Sequence, residues 1–147
     1  MKIEETIEKA MVSILEARTY FSANSVPVVR FRDRLTTKGN RFCTVHANPF
    51  ERLSPTHDFY EVQLDLLSDS KSQEDVKANQ LDDIYEQCAD ELDQTLTTTT
   101  LQAAIDAVDV SSGITIDGLV PGAGDDTDGD YQIVRAGTLI SLTYIKP

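Results

Sequence analysis

Four aspartates crowd one short stretch, Pro121-Gly122-Ala123-Gly124-Asp125-Asp126-Thr127-Asp128-Gly129-Asp130. Carboxylates at such spacing are what a hard cation such as calcium takes as ligands. The fit to a helix–loop–helix calcium site fails in detail. Aligning Asp128-Gly129 with the usual Asp-Gly pair puts Gly124 at the first ligand position and Arg135 where a bidentate Glu belongs. Read plainly, Asp126, Asp128 and Asp130 belong to a solvated acidic loop, and a metal-binding module or small metal-dependent enzyme built on Asp125–Asp130 is the alternative reading. Cys43 and His46, with His57-Asp58 nearby, offer a second donor set. Structural zinc wants four ligands in two paired clusters, and on a strand Cys43 and His46 would point to opposite faces. A Cys/His nucleophilic pair lacks a glycine-rich elbow and an orienting third group. Gly118, Gly122 and Gly124 lack the strand–loop–helix setting of a phosphate loop. The chain thus reads as a non-enzyme without cofactor or metal.

Charge carries the next signal. Arg30, Arg32 and Arg34 recur at two-residue spacing within Val26–Leu35, which reads as a strand with Val29, Phe31 and Leu35 opposite. Pro27 fits its start or an edge. Such a basic row suits phosphate, an acidic neighbour subunit or solvent. Residues 1–52 hold 9 Lys/Arg against 6 Asp/Glu and residues 53–147 hold 4 against 19, so +3 and −15 make up the net charge of −12. A tight grip on nucleic acid is disfavoured by that balance. A basic patch meeting an acidic patch on the next subunit is compatible with it.

The elements that must position these residues follow from periodicity. Phe59–Leu67 alternates: Tyr60, Val62, Leu64 and Leu66 fall on one face, Glu61, Gln63 and Asp65 on the other. Helical spacing then takes over in Val76, Leu81, Ile84, Cys88 and Leu92, with acidic residues mostly opposite. Ser70 and Gln73 between them have capping-box spacing. Ile3, Ile7, Met11, Ile14 and Phe21 predict an amphipathic helix over 3–21 that stops near Ser22-Ala23-Asn24-Ser25 before Pro27. Arg41–Ala47 is expected to pair with 26–35 as a hairpin across a turn at 36–40, and 48–55 to be an irregular connection broken by two prolines. A threonine of Thr97–Thr100 is expected to cap a short helix over 101–108. Strands are expected at 114–120 and 131–145, the latter kinked at Gly137. This order predicts one α+β domain over 1–147, a mainly antiparallel sheet flanked by an N-terminal helix and a long central helix. Two thiols make no disulfide framework, Cys88 sits on an apolar stripe, and no run reaches the roughly 20 apolar residues of a membrane span. A soluble protein of a reducing compartment is expected.

Taken in that order, the chain resembles the tail terminator and tail completion proteins of tailed bacteriophages. The resemblance is carried by the opening helix, Pro27-Val28-Val29, Tyr60-Glu61-Val62-Gln63-Leu64-Asp65-Leu66, and above all the run Ser68–Asp75 into the helix Leu81–Cys88. It covers most of the chain as a pattern of types, without an invariant motif. Segments 97–110 and 121–130 are longer than in the simplest members. The resemblance implies a virion protein assembled in the host cytoplasm: a subunit of a ring, typically hexameric, that caps the tail tube and joins it to the head connector. DNA would pass its lumen without specific binding. A head–tail adaptor of the neck and a tail tube protein are the alternatives within the virion. On this reading Arg30, Arg32 and Arg34, the polar face Glu61, Gln63 and Asp65, and the loop Asp126, Asp128 and Asp130 are candidate subunit or partner surfaces.

Overall fold

A computed structural model describes residues 3–36, 41–49, 51–70, 78–127 and 134–146. The chain opens with two helices, α1 (Ile3–Glu16) and α2 (Thr19–Ala23), where one helix over 3–21 is expected. The break lies at Arg18, whose backbone is extended. That turn lets the Arg18 guanidinium reach Gln87 Oε1 (3.2 Å), Glu91 Oε1 (3.3 Å) and Asp90 Oδ2 (2.7 Å), far along the chain. The stop at 22–25 is as the sequence predicts: Ser25 takes a left-handed φ of 53° and Val26 N donates to Phe21 O (2.9 Å).

Strand β1 (Val28–Arg30) is only three residues long, because Phe31–Thr36 turns into a 3-10 helix. The expected strand over 26–35 and its hairpin are therefore corrected. β2 (Arg41–Ala47) runs parallel to β1. The 3-10 turn carries the chain out of the sheet plane and across one face, where the Phe31 ring lies 4.7 Å from that of His46. An antiparallel return at that point is thereby lost.

A second correction concerns 48–55. Glu51–Ser54 forms β3, an exposed hairpin partner for the start of β4 (His57–Ser70). After α3 (Ala78–Asp90) the helix widens into a π-helical turn, Glu91–Thr95, closed by Leu96 N donating to Glu91 O (2.7 Å). Of the expected Ser70–Gln73 cap, Ser70 is the last residue of β4, and Gln73 lies outside the described residues, as does Val76. Thr97 caps α4 (Thr98–Val108) in a reciprocal pair with Thr100 (Thr100 N to Thr97 Oγ1, 3.1 Å; Thr97 N to Thr100 Oγ1, 2.9 Å). β5 (Ile114–Pro121), β6 (Asp126–Thr127) and β7 (Val134–Tyr144) complete the chain.

The sheet order is β1-β2-β4-β7-β5, with β3 beside β4 and β6 beside β7. All pairings but β1–β2 are antiparallel, so the domain is α+β with one mixed sheet. Register fixes the faces. Val62, Leu64 and Leu66 share the front with Val45 and Ala47 of β2 and Ala136, Ile140 and Leu142 of β7, all buried. Onto this face pack Ile7, Met11 and Leu15 of α1, Ile84 and Cys88 of α3, and Leu101 and Ile105 of α4. Each such aliphatic side chain contributes about 1.5–3 kcal/mol on burial. The helices thus cover the front, and the back carries Glu61, Gln63 and Asp65 together with the buried Phe42 and Thr44.

Candidate functional site

The alternation of β4 sends Glu61, Gln63 and Asp65 to the back of the sheet. What lies over them was not legible locally. Asp65 pairs in register with Gly137 of β7, which has no side chain to block the space. Over that gap sits the turn 122–125 that links β5 to β6. Gly122 N donates to Gly137 O (3.0 Å), and Gly137 N donates to the Asp125 carboxylate (2.7 Å). Gly122 and Gly124 take φ of 81° and 80°, which suits glycine in a turn this tight. A methyl at Gly137 would meet the Ala123 carbonyl, a backbone atom that cannot swing away. Gly137 is therefore a close-approach position inside a regular strand, not a kink.

Side chains then fasten the turn. Gln63 Nε2 donates to Ala123 O (2.7 Å) and to Asp65 Oδ1 (3.1 Å). Asn48 Nδ2 donates to Asp65 Oδ2 (2.9 Å), and Arg135 Nη1 lies 3.7 Å from the same oxygen. Asp65 is left 4% exposed. Two stretches expected to be separate solvent-facing surfaces, the strand face and the start of the acidic loop, form one cluster. Glu61 stays half-buried beside it, opposite Glu51 and Ser141. Asp126 lies in β6 across from Arg135. Asp128 and Asp130 fall outside the described residues.

This arrangement is a clasp. Both carboxylate oxygens of Asp65 accept from amides, and its third neighbour is a guanidinium. A cation at that point would face donors rather than lone pairs, and a general base needs access that Asp65 lacks. The buried charge is offset by donors that in turn hold the loop.

The arginine row is dispersed. Arg30 Nε donates to Glu8 Oε1 (2.9 Å), with Glu5 Oε1 at 3.7 Å from Nη1. The other Glu8 oxygen accepts from Ala47 N (2.9 Å). Glu8, which suits the helix dipole, is thus also a buried bridge from α1 to both β1 and β2. Arg34 lies over the Phe31 ring (4.3 Å to its centroid), and Arg32 is exposed. A strand would have aligned the three; the 3-10 turn sends them different ways.

The acidic surface of α3 and its π-helical turn lines an open groove of about 430 Å³ with Tyr85, Glu86, Asp90 and Asp93. Burial, then Asp125 and Asp90, push the Asp93 carboxyl above its ordinary value. Tyr85 is raised by burial, Asp125 and Asp93. On the far side Arg18 is compensated: burial works against its charge, but hydrogen bonds to Asp90 and Glu91 outweigh that and raise it.

Cys43 and His46 do face opposite ways. Cys43 meets Cys88 in the core, and His46 lies against Phe31 with the rings tilted by 31°. His57 Nδ1 lies 2.9 Å from Thr56 Oγ1, and Asp58 accepts from Arg52 Nη2 (3.0 Å), both on the exposed hairpin. Among the described residues no group of three or more His, Cys, Asp or Glu could hold a metal ion, and no helix is long and apolar enough to cross a membrane. Sequence reading missed Asn48, Arg135, Arg18 and the burial of Glu8. Only Glu8 left a signal: it lies three and seven residues before Met11 and Leu15, on the flank of the apolar stripe. No family model matches the chain, and no curated protein matches it in sequence.

Proposed function

We propose that this chain is a structural subunit of tail-terminator or tail-completion type, forming a ring that caps the tail tube of a tailed bacteriophage and presents a face to the head connector. The observation that carries the reading is the one-sided architecture joined to the sequence resemblance. Helices fill one sheet face, the polar residues of the other serve as clasps, and the β3–β4 hairpin stands out with Leu53 and Phe59 exposed. The sequence singles out no catalytic group, and the polar residues of the cluster have structural work to do.

Ring contacts in this reading are heterologous, each subunit offering one surface to the next. Arg30 is engaged by Glu8 inside the subunit, so the basic side of the contact falls to Arg32 and its 3-10 turn. Asp90 is likewise engaged by Arg18 inside the subunit, so the acidic side falls to Glu86 and Asp93 of the groove. A strongly acidic lumen would let DNA slide instead of binding it.

Size-exclusion chromatography with light scattering, followed by negative-stain microscopy, tests this. Annular particles are expected, unchanged by a chelator and weakened at high salt or by Arg32→Glu. Continuous tubes would point to the tail tube protein. A chelator-sensitive assembly would point to the metal module. Monomers both alone and with purified tail tubes would sink the reading.

A further inference from the structure

The chain has two cysteines, 45 residues apart, and the fold brings them into contact. Cys43 comes from the middle of β2, between Val28 and Ser68 in register; Cys88 comes from the last turns of α3. Both are fully buried, and their sulfurs are 3.5 Å apart. α3 packs on β4 and β7, so this contact ties the helix to a strand beyond those two. Small core residues need no such convergence: Ala or Val fills the same space, and one thiol in place of either would do.

We infer that Cys43 and Cys88 are a modification site: they form a reversible disulfide that staples α3 to β2 when the folded protein meets a low-molecular-weight disulfide such as oxidised glutathione. The sulfurs need to approach by about 1.5 Å to reach bonding distance. Exchange proceeds in two steps. One protein thiol loses its proton to water, and its thiolate attacks a glutathione sulfur. The glutathione S–S bond breaks, and the departing glutathione thiolate takes up a proton. The second protein thiol then loses its proton to water, its thiolate attacks the protein sulfur of the mixed disulfide, the protein–glutathione S–S bond breaks, and the expelled glutathione thiolate takes up a proton. Two protein thiols are oxidised and one glutathione disulfide is reduced to two thiols. Both sulfurs are fully buried, so glutathione reaches them only when α3 opens locally, and closure is slow in the resting fold; the hydrogen bond to Cys88 and burial also hold the Cys43 thiol well above its ordinary value. The pair is thus reduced where thiols abound and closes on long exposure to oxidant. The inference does not depend on ring formation.

The test uses the full chain, held in buffers of fixed ratios of reduced and oxidised glutathione, once folded and once in denaturant. After acid quenching, denaturation and alkylation, intact mass and peptide mapping give the closed fraction. The folded protein should lose two hydrogens, resist alkylation and yield a Cys43–Cys88 peptide. Closure should be favoured on the order of 30-fold or more over the denatured chain, because whatever the disulfide adds to the fold, the fold adds to the disulfide. The melting temperature should rise by roughly 5–15 °C and fall back with dithiothreitol. Cys43→Ala and Cys88→Ala should each abolish that rise; if neither folds, the wild-type ratio decides alone. Two alkylatable thiols after prolonged exposure, only glutathione adducts or intermolecular dimers, or no preference of the folded over the denatured chain would each overturn the inference.

Discussion

Glu8 and Asp65 are both almost buried carboxylates facing an arginine, on opposite sides of the same sheet, yet they are stabilised differently. Glu8 takes a guanidinium at 2.9 Å and a backbone N–H at 2.9 Å. Asp65 takes two neutral amides, with its guanidinium at 3.7 Å and 39% exposed. The first bridges a helix and two strands. The second holds down a turn. The difference teaches that burial alone does not set what a charge contributes: the partner's own exposure does. Arg30, whose side chain is 16% exposed, keeps only Glu5 at 3.7 Å when Glu8 is lost, whereas Arg135, 39% exposed, is already partly in water.

Three measurements can break or sharpen that contrast. Glu8→Ala should cost the most, about 3 kcal/mol by urea unfolding, because it leaves the Ala47 N–H without its acceptor and Arg30 with only Glu5 at 3.7 Å. Asp65→Ala should cost about 1–2 kcal/mol, since Gln63 and Asn48 each lose one of two acceptors and keep the other, and Arg135 is already 39% exposed. Its sharper signature is local: the Gly137 amide should exchange faster, because the turn that shields it is released. Equal losses for the two variants, or an unchanged Gly137 amide, would remove the distinction.

The smallest effect belongs to Asp93, a carboxylate raised by partial burial and then by Asp125 and Asp90. Its pKa is raised in the fold, so below the ordinary carboxyl value its protonated form favours the native state in full. That advantage fades as pH rises through the raised pKa, where the unfolded chain binds fewer protons than the folded one. Asp93 is largely open to solvent, so Asp93→Asn should stabilise the protein at pH 7 by only about 0.3 kcal/mol after screening. It should also flatten the decline in stability just above pH 4. A steeper decline in the variant would contradict the sign.

Much of the fold was legible because periodicity is local. The stripe Ile3–Ile7–Met11, the alternation of Val62–Leu64–Leu66 and the spacing of Ile84–Cys88–Leu92 each follow from how a helix or strand aims its side chains. They mark the core whatever the partners are. That a threonine of 97–100 caps the next helix was readable for the same reason; that the cap is Thr97 and the helix begins at Thr98, ahead of the expected 101–108, was not. The helix break at Arg18 and the 3-10 turn at Phe31–Thr36 were not. Each answers to residues far along the chain: Gln87, Asp90 and Glu91 in one case, His46 in the other.

The candidate site divides along the same line. Sequence alone put Glu61, Gln63 and Asp65 on one strand face, put Cys43 and His46 on opposite faces, and set the charge polarity. It left that strand face pointing at water. Only the tertiary structure decided that a turn closes over it, that Arg30 belongs to Glu8, and that Cys43 meets Cys88. The reason is that an apolar residue is buried by whatever covers it, whereas a polar one stays buried only if particular donors or acceptors arrive from elsewhere in the chain. Spacing records the first condition and not the second.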